Sequence, residues 1–300
     1  CINSTGDAIT FRFKSDNLTT NAGWYAEWIS YGNVCGNNPD TEIINNISNE
    51  WATEDFNIEF VNTDYSGLGI ANSFWQTLYL EGNTWQANTS QGFLNDNFVE
   101  NSGEWNNITG TWDIYEEHLH QTDESSSNTN YYVDINHPTN EPILIHWQMK
   151  IEGSGANRRA GVHFMCDDAT QTNRNNSYMV YFRADQNTVQ LYKYENDVMN
   201  LKTSDNTIVN AGQWYDCKIL YKPETGEIKA FQDNILVSAW KDDSPLTIGN
   251  SLSLRTGNCI AWYDDIKVYK SASSNEIVSI ENDLYNSENP IYMDKGYYFD

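Results

Sequence analysis

Apolar and polar residues alternate with a period of two along most of the chain. Segments such as "ILIHWQMKI", "TVQLYKYE" and "EIKAFQD" show this alternation. It is the pattern of a β-strand with one buried face, whereas an amphipathic helix repeats every 3.6 residues. Turn-rich segments such as "RADQNT" and "KPETGE" separate the strands and are typical of antiparallel hairpins. The sequence therefore predicts an all-β protein.

The charge balance excludes two classes of partner. The chain has 17 Lys and Arg against 42 Asp and Glu, a formal net charge of −25. Nucleic acids and anionic lipid headgroups are bound by basic surfaces, so neither is expected as a partner. The excess of carboxylates suits an extracellular protein and provides the oxygen ligands that calcium prefers. No run of eighteen apolar residues occurs, so no membrane span is predicted.

Five cysteines are present, and none belongs to a C-x-x-C pair, so the sequence does not predict a zinc site. Cys1 and Cys35 bracket a short hairpin-like segment and are expected to form a disulfide. Among Cys166, Cys217 and Cys259, at most one further bridge can form. One thiol is then left free, buried or bonded to residues beyond this sequence.

The order of strands between residues 94 and 271 resembles a known fold. After an opening strand with Trp112 come "LIHWQMKI", "RAGVHF", "SYMVYF", "NTVQLYKYE", "GQWYDCKILY", "GEIKAFQDNILV" and "GNSLSLRTGNCIAWYDDIKVY". In this order the segment resembles the concanavalin A-like jelly rolls, and among them the laminin-G-like, 3-keto-disaccharide hydrolase-like group. The resemblance implies a sandwich of two antiparallel sheets. A fold of this kind carries many activities, so it does not define one.

The flanking segments resemble other modules. The strand "ITFRF", the "SD" turn and "GW" are similar to the C-terminal end of a CUB domain. The "D-x-S-G-x-G-I" turn resembles the core hairpin of bacterial Ig-like repeats. Such a combination resembles large secreted Bacteroidota-type proteins exported by type IX secretion, so we expect this chain to be part of a longer multidomain protein. The predicted order is a CUB-like fragment (1–36), a linker (37–48), an Ig-like β segment (49–93), the jelly roll (94–271) and a linker or the start of another domain (272–300).

Two adjacent carboxylates, Asp264 and Asp265, lie within the predicted closing strand "AWYDDIKVY". Neighbours on a regular strand point to opposite faces, so this pair is not expected to flank one scissile bond. In jelly-roll carbohydrate-binding modules, the resembling last strand often meets the first strand at a calcium ion. Asp96 lies in that first strand, so the resemblance implies a calcium site formed by Asp96, Asp264 and Asp265. The alternative is that one aspartate caps the strand while the other is solvated.

No complete catalytic motif is present, and no catalytic residue is assigned. The E-x-D-x-x-E motif of family 16-type glycosidases is approached only by "ENDVMN", which lacks the second Glu. His118 and His120 share a predicted strand face with Glu116, a spacing that suits two ligands of a transition metal. We favour the alternative, in which Leu119 points into the core and both histidines lie on an exposed polar face.

Aromatic side chains are the main candidates for ligand binding. Sugar rings stack on flat aromatic faces, and neighbouring polar groups bind their hydroxyls. The candidate residues, including the arginines expected nearby, are Trp147, Tyr181, Tyr192, Tyr194, Arg158, Arg159 and Arg183. The alternative is that most of these aromatic residues fill the core between the sheets, and we expect at least two of the four to be buried.

Three hypotheses about function remain open. The first is a non-catalytic module of a secreted or cell-surface protein, an adhesin or a carbohydrate-binding jelly roll with glycan as its partner. The second is an accessory or catalytic region of a secreted hydrolase. The third is a structural spacer or fibre segment whose partners are other domains of the same protein or the export machinery. The absence of a nucleophile motif, a metal triad or a nucleotide-binding loop favours the non-catalytic hypotheses.

Overall fold

The computed structural model describes residues 40–45, 56–63, 73–81, 84–100, 102–273, 275–280 and 291–296. The segment predicted to be CUB-like, with the predicted disulfide between Cys1 and Cys35, lies outside the described residues. Within them, one short 3-10 helix (Thr89–Gln91) accompanies the strands. The described part of the chain contains no helix long and apolar enough to cross a membrane.

The strands follow one another along the chain with short turns between most of them. In chain order they are β1 (Asp40–Asn45), β2 (Phe56–Thr63), β3 (Ser73–Glu81), β4 (Thr84–Ala87), β5 (Leu94–Asp96), β6 (Asn106–Thr109), β7 (Trp112–Tyr115), β8 (His118–Gln121), β9 (Asn130–Asp134), β10 (Ile143–Glu152), β11 (Arg159–Cys166), β12 (Ser177–Arg183), β13 (Thr188–Glu195), β14 (Val198–Asn206), β15 (Trp214–Lys222), β16 (Glu227–Gln232), β17 (Ile235–Lys241), β18 (Ser251–Gly257), β19 (Ile260–Ala272), β20 (Glu276–Ile280) and β21 (Ile291–Gly296).

Two antiparallel sheets form a sandwich. The front sheet has the order β14-β13-β12-β11-β18-β9-β6. The back sheet contains the series β17-β16-β15-β10-β19, and β5, β8 and β3 pair with successive parts of the long strand β19. The predicted all-β fold, a concanavalin A-like sandwich of two antiparallel sheets, is confirmed.

The core lies between the two sheets and takes every second side chain from each. Trp147 and Ile219 of the back sheet belong to one buried cluster with Val162 and Phe182 of the front sheet. The rings of Trp147 and Phe182 meet edge to face, with centroids 6.3 Å apart. Because one face of every strand is used in this way, the remaining side chains of the front sheet point outward.

The three described cysteines belong to the buried core and form no disulfide. Cys166, Cys217 and Cys259 are all buried as free thiols. Burial in apolar surroundings raises the pKa of Cys259 to about 11 and that of Cys217 well above its ordinary value. These thiols therefore stay protonated at neutral pH and act as small apolar side chains.

A tyrosine crosses the core and connects the central strands. The hydroxyl of Tyr263 on β19 accepts a hydrogen bond from the Gly161 N–H (3.2 Å) and lies 3.1 Å from the carbonyl oxygens of Gly161 and Arg255. Gly161 lies on β11 directly opposite Tyr181 on one side and Arg255 on the other. Through the Tyr263 hydroxyl, the back sheet therefore forms hydrogen bonds with the backbone of the front sheet at Gly161, the residue of β11 that has no side chain.

Two strands outside residues 94–271, β3 and β21, belong to the back sheet. β3 pairs with residues 270–272 of β19, and β21 pairs with β3. β2 pairs with both β1 and β20 in a separate sheet. A second buried cluster joins Phe60, Trp75 and Phe93 to Ala272. Backbone pairing between β3 and β19 crosses the predicted boundary at residue 93, and the domain order stays a prediction.

We predict that Gly161→Ala destabilises the fold by about 2–3 kcal/mol, as overpacked substitutions do. A Cβ at this position would collide with the carbonyl oxygen of Val180 in the neighbouring strand, so the two strands would have to move apart. Urea unfolding followed by tryptophan fluorescence measures the loss.

Gly212→Ala is the control for this prediction. Its Cβ would meet no atom within 4 Å, and its φ of +79° costs an alanine about 1–2 kcal/mol of backbone strain, less than the collision. Equal losses in the two variants would contradict the proposed collision between strands.

Candidate ligand-binding cleft

The outer face of the front sheet carries its own cluster of large side chains. Val180 and Phe182 of β12 point into the core, so Met179 and Tyr181 point outward beside Tyr192 and Tyr194 of β13. These four outward side chains are at most 8% exposed, although they lie outside the inter-sheet core. Large aromatic side chains therefore form the floor of a surface feature.

A cleft of about 330 Å³ opens over this floor. Gly161 on β11 pairs with Tyr181 of β12 on one side and with Arg255 of β18 on the other. Because glycine has no side chain, nothing separates the side chains of these two partners. The guanidinium of Arg255 therefore lies over the Tyr181 ring, 5.7 Å from its centroid. The cleft is lined by Asn157, Arg159, Tyr181, Arg183, Tyr192, Met199, Arg255 and Asn258.

Arg255 is the most deeply held cation of the cleft, with 7% of its surface exposed. Its Nη1 donates to the Tyr194 hydroxyl at 3.0 Å and lies 3.3 Å from Asn173 Oδ1 and 3.5 Å from His163 Nε2. Its Nε is buried and has no hydrogen-bond partner among the described residues. The hydroxyl of Tyr181 is likewise buried and unpartnered. A buried donor without a hydrogen-bond partner reduces the stability of the fold by about 1–3 kcal/mol. A ligand or water that accepts its hydrogen bond would restore that stability.

A second arginine, fully buried beneath the cleft, adds to its positive potential. Arg174 donates only to neutral acceptors, which include Ser253 Oγ at 3.0 Å and the Thr129 carbonyl at 2.6 Å. Burial, and then the charge of Arg255, lowers the pKa of Arg174 to about 9. Burial and both arginines hold the pKa of His163 well below its ordinary value, so this histidine is neutral. The described groups beneath the cleft are therefore cationic or neutral.

The other two arginines of the cleft differ in their partners. Arg159 donates to the carbonyls of Asn157 at 2.7 Å and Ser127 at 3.4 Å, and it lies 5.6 Å from the Tyr181 ring centroid. Arg183 forms a two-point ion pair with Asp185, at 2.8 and 3.2 Å. Asp185 therefore neutralises Arg183, whereas Arg159 retains its charge at the rim of the cleft.

The structure brings together some, but not all, of the residues predicted to bind a ligand. Arg159, Arg183, Tyr181 and Tyr192 line one cleft, and Tyr194 lies beneath it. Trp147 does not belong to this group: it is fully buried in the core because it alternates with His146 and Gln148 on the opposite face of β10. The prediction for Trp147 is therefore corrected.

Arg158 also lies apart from the cleft. Its Nη1 donates to the Gly153 carbonyl at 2.8 Å. Arg158 directly precedes Arg159, the first residue of β11, and only Arg159 lines the cleft. The prediction for Arg158 is corrected, because its guanidinium bonds to a loop carbonyl outside the cleft.

Sequence reasoning missed Arg255, together with Asn157, Met199 and Asn258. The alternation of "SLSLRTG" did contain a signal, because Leu252 and Leu254 point into the core and place Arg255 on the outer face. Its position beside Tyr181 depends on the pairing of β18 with β11, which are about ninety residues apart in the sequence. No local pattern predicts that pairing.

Asp264 and Asp265 lie on the same face of the back sheet, which corrects the expectation that they point apart. Tyr263 and Ile266 both belong to the core, so the strand has one extra residue between two inward positions. The register with β10 shifts here, and Asp265 has a φ of 47°. This is a β-bulge. The Asp265 N–H donates to Asp264 Oδ1 at 2.8 Å, and Gln148 Nε2 donates to Asp265 Oδ2 at 3.2 Å.

The predicted calcium ligands lie on two paired strands, β5 and β19, and Asp96 lies opposite Ile266. However, Asp96 accepts hydrogen bonds from the Phe98 N–H, Ser102 Oγ and Trp105 Nε1, at 2.8, 3.1 and 2.9 Å. The described residues contain no group of three or more His, Cys, Asp or Glu side chains placed to hold a metal ion. The arrangement gives the calcium prediction no support.

His118 and His120 lie on the outer face of the back sheet, with Leu119 in the core between them. The His120 ring stacks on Trp262 at 3.8 Å, and His118 Nε2 lies 3.7 Å from Asp264 Oδ2. Burial lowers the pKa of His120. This arrangement corresponds to the polar face that we favoured over a transition-metal site.

We predict that Asp264→Asn stabilises the protein by about 1–2 kcal/mol at pH 8 and has little effect at pH 4. Burial, and then the charge of Asp265, raises the pKa of Asp264 from 3.8 to about 6. The folded state therefore binds this proton more tightly than the unfolded state. Stability from Asp264 is present at low pH and is lost as the pH rises through about 6. Urea unfolding at both pH values measures the difference.

Asp243→Asn is the control, because Asp243 is an exposed carboxylate. It should change the free energy of unfolding little at either pH. A stabilisation by Asp264→Asn that is the same at pH 4 and pH 8 would show that the titration of Asp264 is not its cause.

No protein-family model matches the sequence, and no curated protein does. Among solved structures, the chain is similar to the carbohydrate-binding module CBM66 from Bacillus subtilis, with 16% identity, 54% of this chain and 93% of that chain covered, and a TM-score of 0.46. It is similar to a Bacillus subtilis protein of unknown function with a galectin-like fold (14% identity, 65% and 99% covered, TM-score 0.49). It is also similar to the Bacillus licheniformis β-glucanase (13% identity, 59% and 97% covered, TM-score 0.46). These are likenesses of fold.

Proposed function

We propose that this chain is a non-catalytic saccharide-binding part of a secreted or cell-surface protein, and that the cleft of the front sheet holds the sugar. The observation that carries the proposal is the buried, unpartnered hydroxyl of Tyr181 at the floor of an aromatic cleft. The acidic charge of the chain supports an extracellular location. Adhesion to a glycan is then the role of the module.

The cleft has the chemical groups that saccharide recognition needs. The ring of Tyr192 supplies an aromatic surface, and its hydroxyl is fixed by donation to Gln190 Oε1 at 2.6 Å. Asn157 and Asn258 add side-chain amides at the rim, which both donate and accept hydrogen bonds. A sugar presents an apolar ring face and a set of hydroxyls at its edge. Aromatic rings and polar groups that converge on one cleft match both features.

The composition of the cleft supports binding without catalysis. Its described lining residues are arginine, tyrosine, asparagine and methionine, with no aspartate or glutamate among them. Glycoside hydrolysis ordinarily needs two carboxyl groups on either side of the scissile bond. A bound saccharide would therefore be held rather than cleaved in this cleft.

We predict that Tyr181→Phe weakens saccharide binding by about 5- to 30-fold without loss of stability. The hydroxyl makes no hydrogen bond with the described residues, so its removal takes nothing from the fold. A glycan array with the whole chain identifies ligands, and isothermal titration calorimetry then compares the variant with the wild type.

Tyr178→Phe is the matched control on the same strand. The Tyr178 hydroxyl points into the core, donates to Asp242 Oδ2 at 2.6 Å and accepts from the Leu246 N–H at 2.9 Å. This variant should lose about 1–3 kcal/mol of stability and keep the wild-type affinity. Saccharide binding that is unchanged by Tyr181→Phe would place the ligand elsewhere. No binding by the wild type at all would contradict the proposal and favour a structural spacer.

Hydrolysis is a second candidate function, favoured by the β-bulge on the back sheet. Asp264 and Asp265 share an outer face there, and a carboxyl with a pKa of about 6 is suited to general acid catalysis. Release of reducing ends from oligosaccharides, measured for the wild type and for Asp264→Asn, tests this function. Cleavage that Asp264→Asn abolishes would replace the non-catalytic proposal.

A further inference from the structure

We propose that the cleft is specific for acidic saccharides, and that the ligand's carboxylate binds the Nε–Nη2 edge of Arg255. This inference rests on the proposed function, because it names the class of sugar held at the same site. Four features of the described residues carry it: the free edge of one guanidinium, the partners of the neighbouring arginines, the way in which the guanidinium is held, and the charge of the whole chain.

The hydrogen bonds of Arg255 all leave from one nitrogen. Nη1 faces Tyr194, Asn173 and His163, whereas Nε and Nη2 donate to none of the described residues. The Nε–H and one Nη2–H of a guanidinium point in parallel, and they match the two oxygens of a carboxylate. The edge that remains free is therefore one that binds a carboxylate at two points. A lysine could not present such an edge.

The described carboxylates do not compensate the cations of the cleft, with one exception. Arg183 is paired with Asp185. The bonds of Arg159 and Arg174 go to carbonyl, hydroxyl and amide oxygens. Elsewhere in the described chain, lysines such as Lys193 and Lys222 have carboxylate partners. Buried or half-buried cations without an anion are costly, and an anionic ligand removes that cost.

The guanidinium of Arg255 is held in place before a ligand arrives. Its Cζ lies 5.7 Å from the Tyr181 ring centroid and 5.9 Å from that of Tyr194, within the range of cation–π attraction. The bond from Nη1 to the Tyr194 hydroxyl sets its rotation about the side-chain axis. The unpartnered hydroxyl of Tyr181 lines the same cleft and supplies a further donor for the ligand. A neutral sugar hydroxyl can accept one such bond, but it leaves the charge uncompensated.

The charge of the whole chain limits the size of the ligand. A net charge of −25 repels an extended polyanion at long range. The local positive potential of Arg159, Arg174 and Arg255 acts only over the cleft. The site is therefore suited to one acidic sugar unit, at the end of a chain or in a short oligosaccharide, rather than to a long polyanionic polymer.

The test compares matched sugars on the whole chain by isothermal titration calorimetry. Short oligogalacturonides, their methyl esters, and the corresponding neutral galacto-oligosaccharides differ in carboxylate charge while keeping the same ring size. We expect the free acid to bind at least tenfold more tightly than the ester or the neutral sugar. A sulfated galacto-oligosaccharide forms a separate arm, because a sulfate also accepts bonds from a guanidinium.

Two variants connect the preference to one edge of Arg255. Arg255→Lys keeps the positive charge but removes the two parallel N–H groups of the Nε–Nη2 edge. This variant should lose the preference for the free-acid oligogalacturonide over its ester and the neutral sugar. Arg158→Lys is the control, since Arg158 has the same charge but lies outside the cleft, and it should keep the preference. Thermal unfolding of both variants shows whether they remain folded. The comparison of sugars on the wild type stands even if Arg255→Lys does not fold.

The outcomes separate this inference from the proposed function. Equal affinity for free acid, ester and neutral sugar, reduced in each case by Tyr181→Phe, would overturn the acidic preference and leave saccharide binding in place. Tighter binding of the sulfated sugar than of the uronate would overturn the assignment to a carboxylate. A preference for the acid that is undiminished in Arg255→Lys would show that the two-point edge of Arg255 does not bind the carboxylate, and it would overturn that assignment. No binding of any saccharide by the wild type would overturn both proposals.

Discussion

The hydroxyl of Tyr263 connects the two sheets at the centre of the sandwich, and the geometry of the cleft depends on that connection. It bonds to the backbone of Gly161 and lies within reach of the Arg255 carbonyl, on two neighbouring strands of the front sheet. A phenol that is fully buried needs a polar partner, and here the partners are the backbone groups of the strands that carry the cleft. The back sheet thereby fixes the height at which Gly161 and Arg255 lie relative to Tyr181. A glycine at that point lets an arginine lie over a tyrosine ring.

The distribution of charge is as informative as its sum. The chain is strongly acidic, yet the described groups beneath the cleft are guanidiniums, phenols and a neutral histidine. Arginines in such a chain could readily have found carboxylate partners, as Arg183 does with Asp185. Because burial penalises an unpaired charge, cations that are kept free of protein carboxylates at a cleft indicate a partner outside the chain. The proposals of saccharide binding and of a preference for acidic sugars both rest on this local reversal of charge.

The back sheet illustrates how one inserted residue changes the chemistry of a strand. In a regular strand Asp264 and Asp265 would face opposite sides, and only one of them would reach the surface beside Gln148. The β-bulge turns both carboxylates to the outer face, where partial burial, and then the charge of Asp265, raises the pKa of Asp264 to about 6. Tyr263, the residue just before the bulge, keeps its inward direction, and the register of the sheet is restored at Ile266.

The sequence by itself determined the fold class, the two faces of most strands and part of the cleft. Period-two alternation is a local property, so it separates inward from outward side chains wherever a strand is regular, as in β12, where Tyr181 faces outward between Val180 and Phe182. It did not decide which outward residues become neighbours. Arg255 and Tyr181 meet because β18 and β12 both pair with β11, and such pairings depend on contacts between residues far apart in the sequence. The tertiary structure alone also placed Trp147 in the core and turned Asp264 and Asp265 to one face. Burial depends on the opposing sheet, and a β-bulge depends on the partner strand.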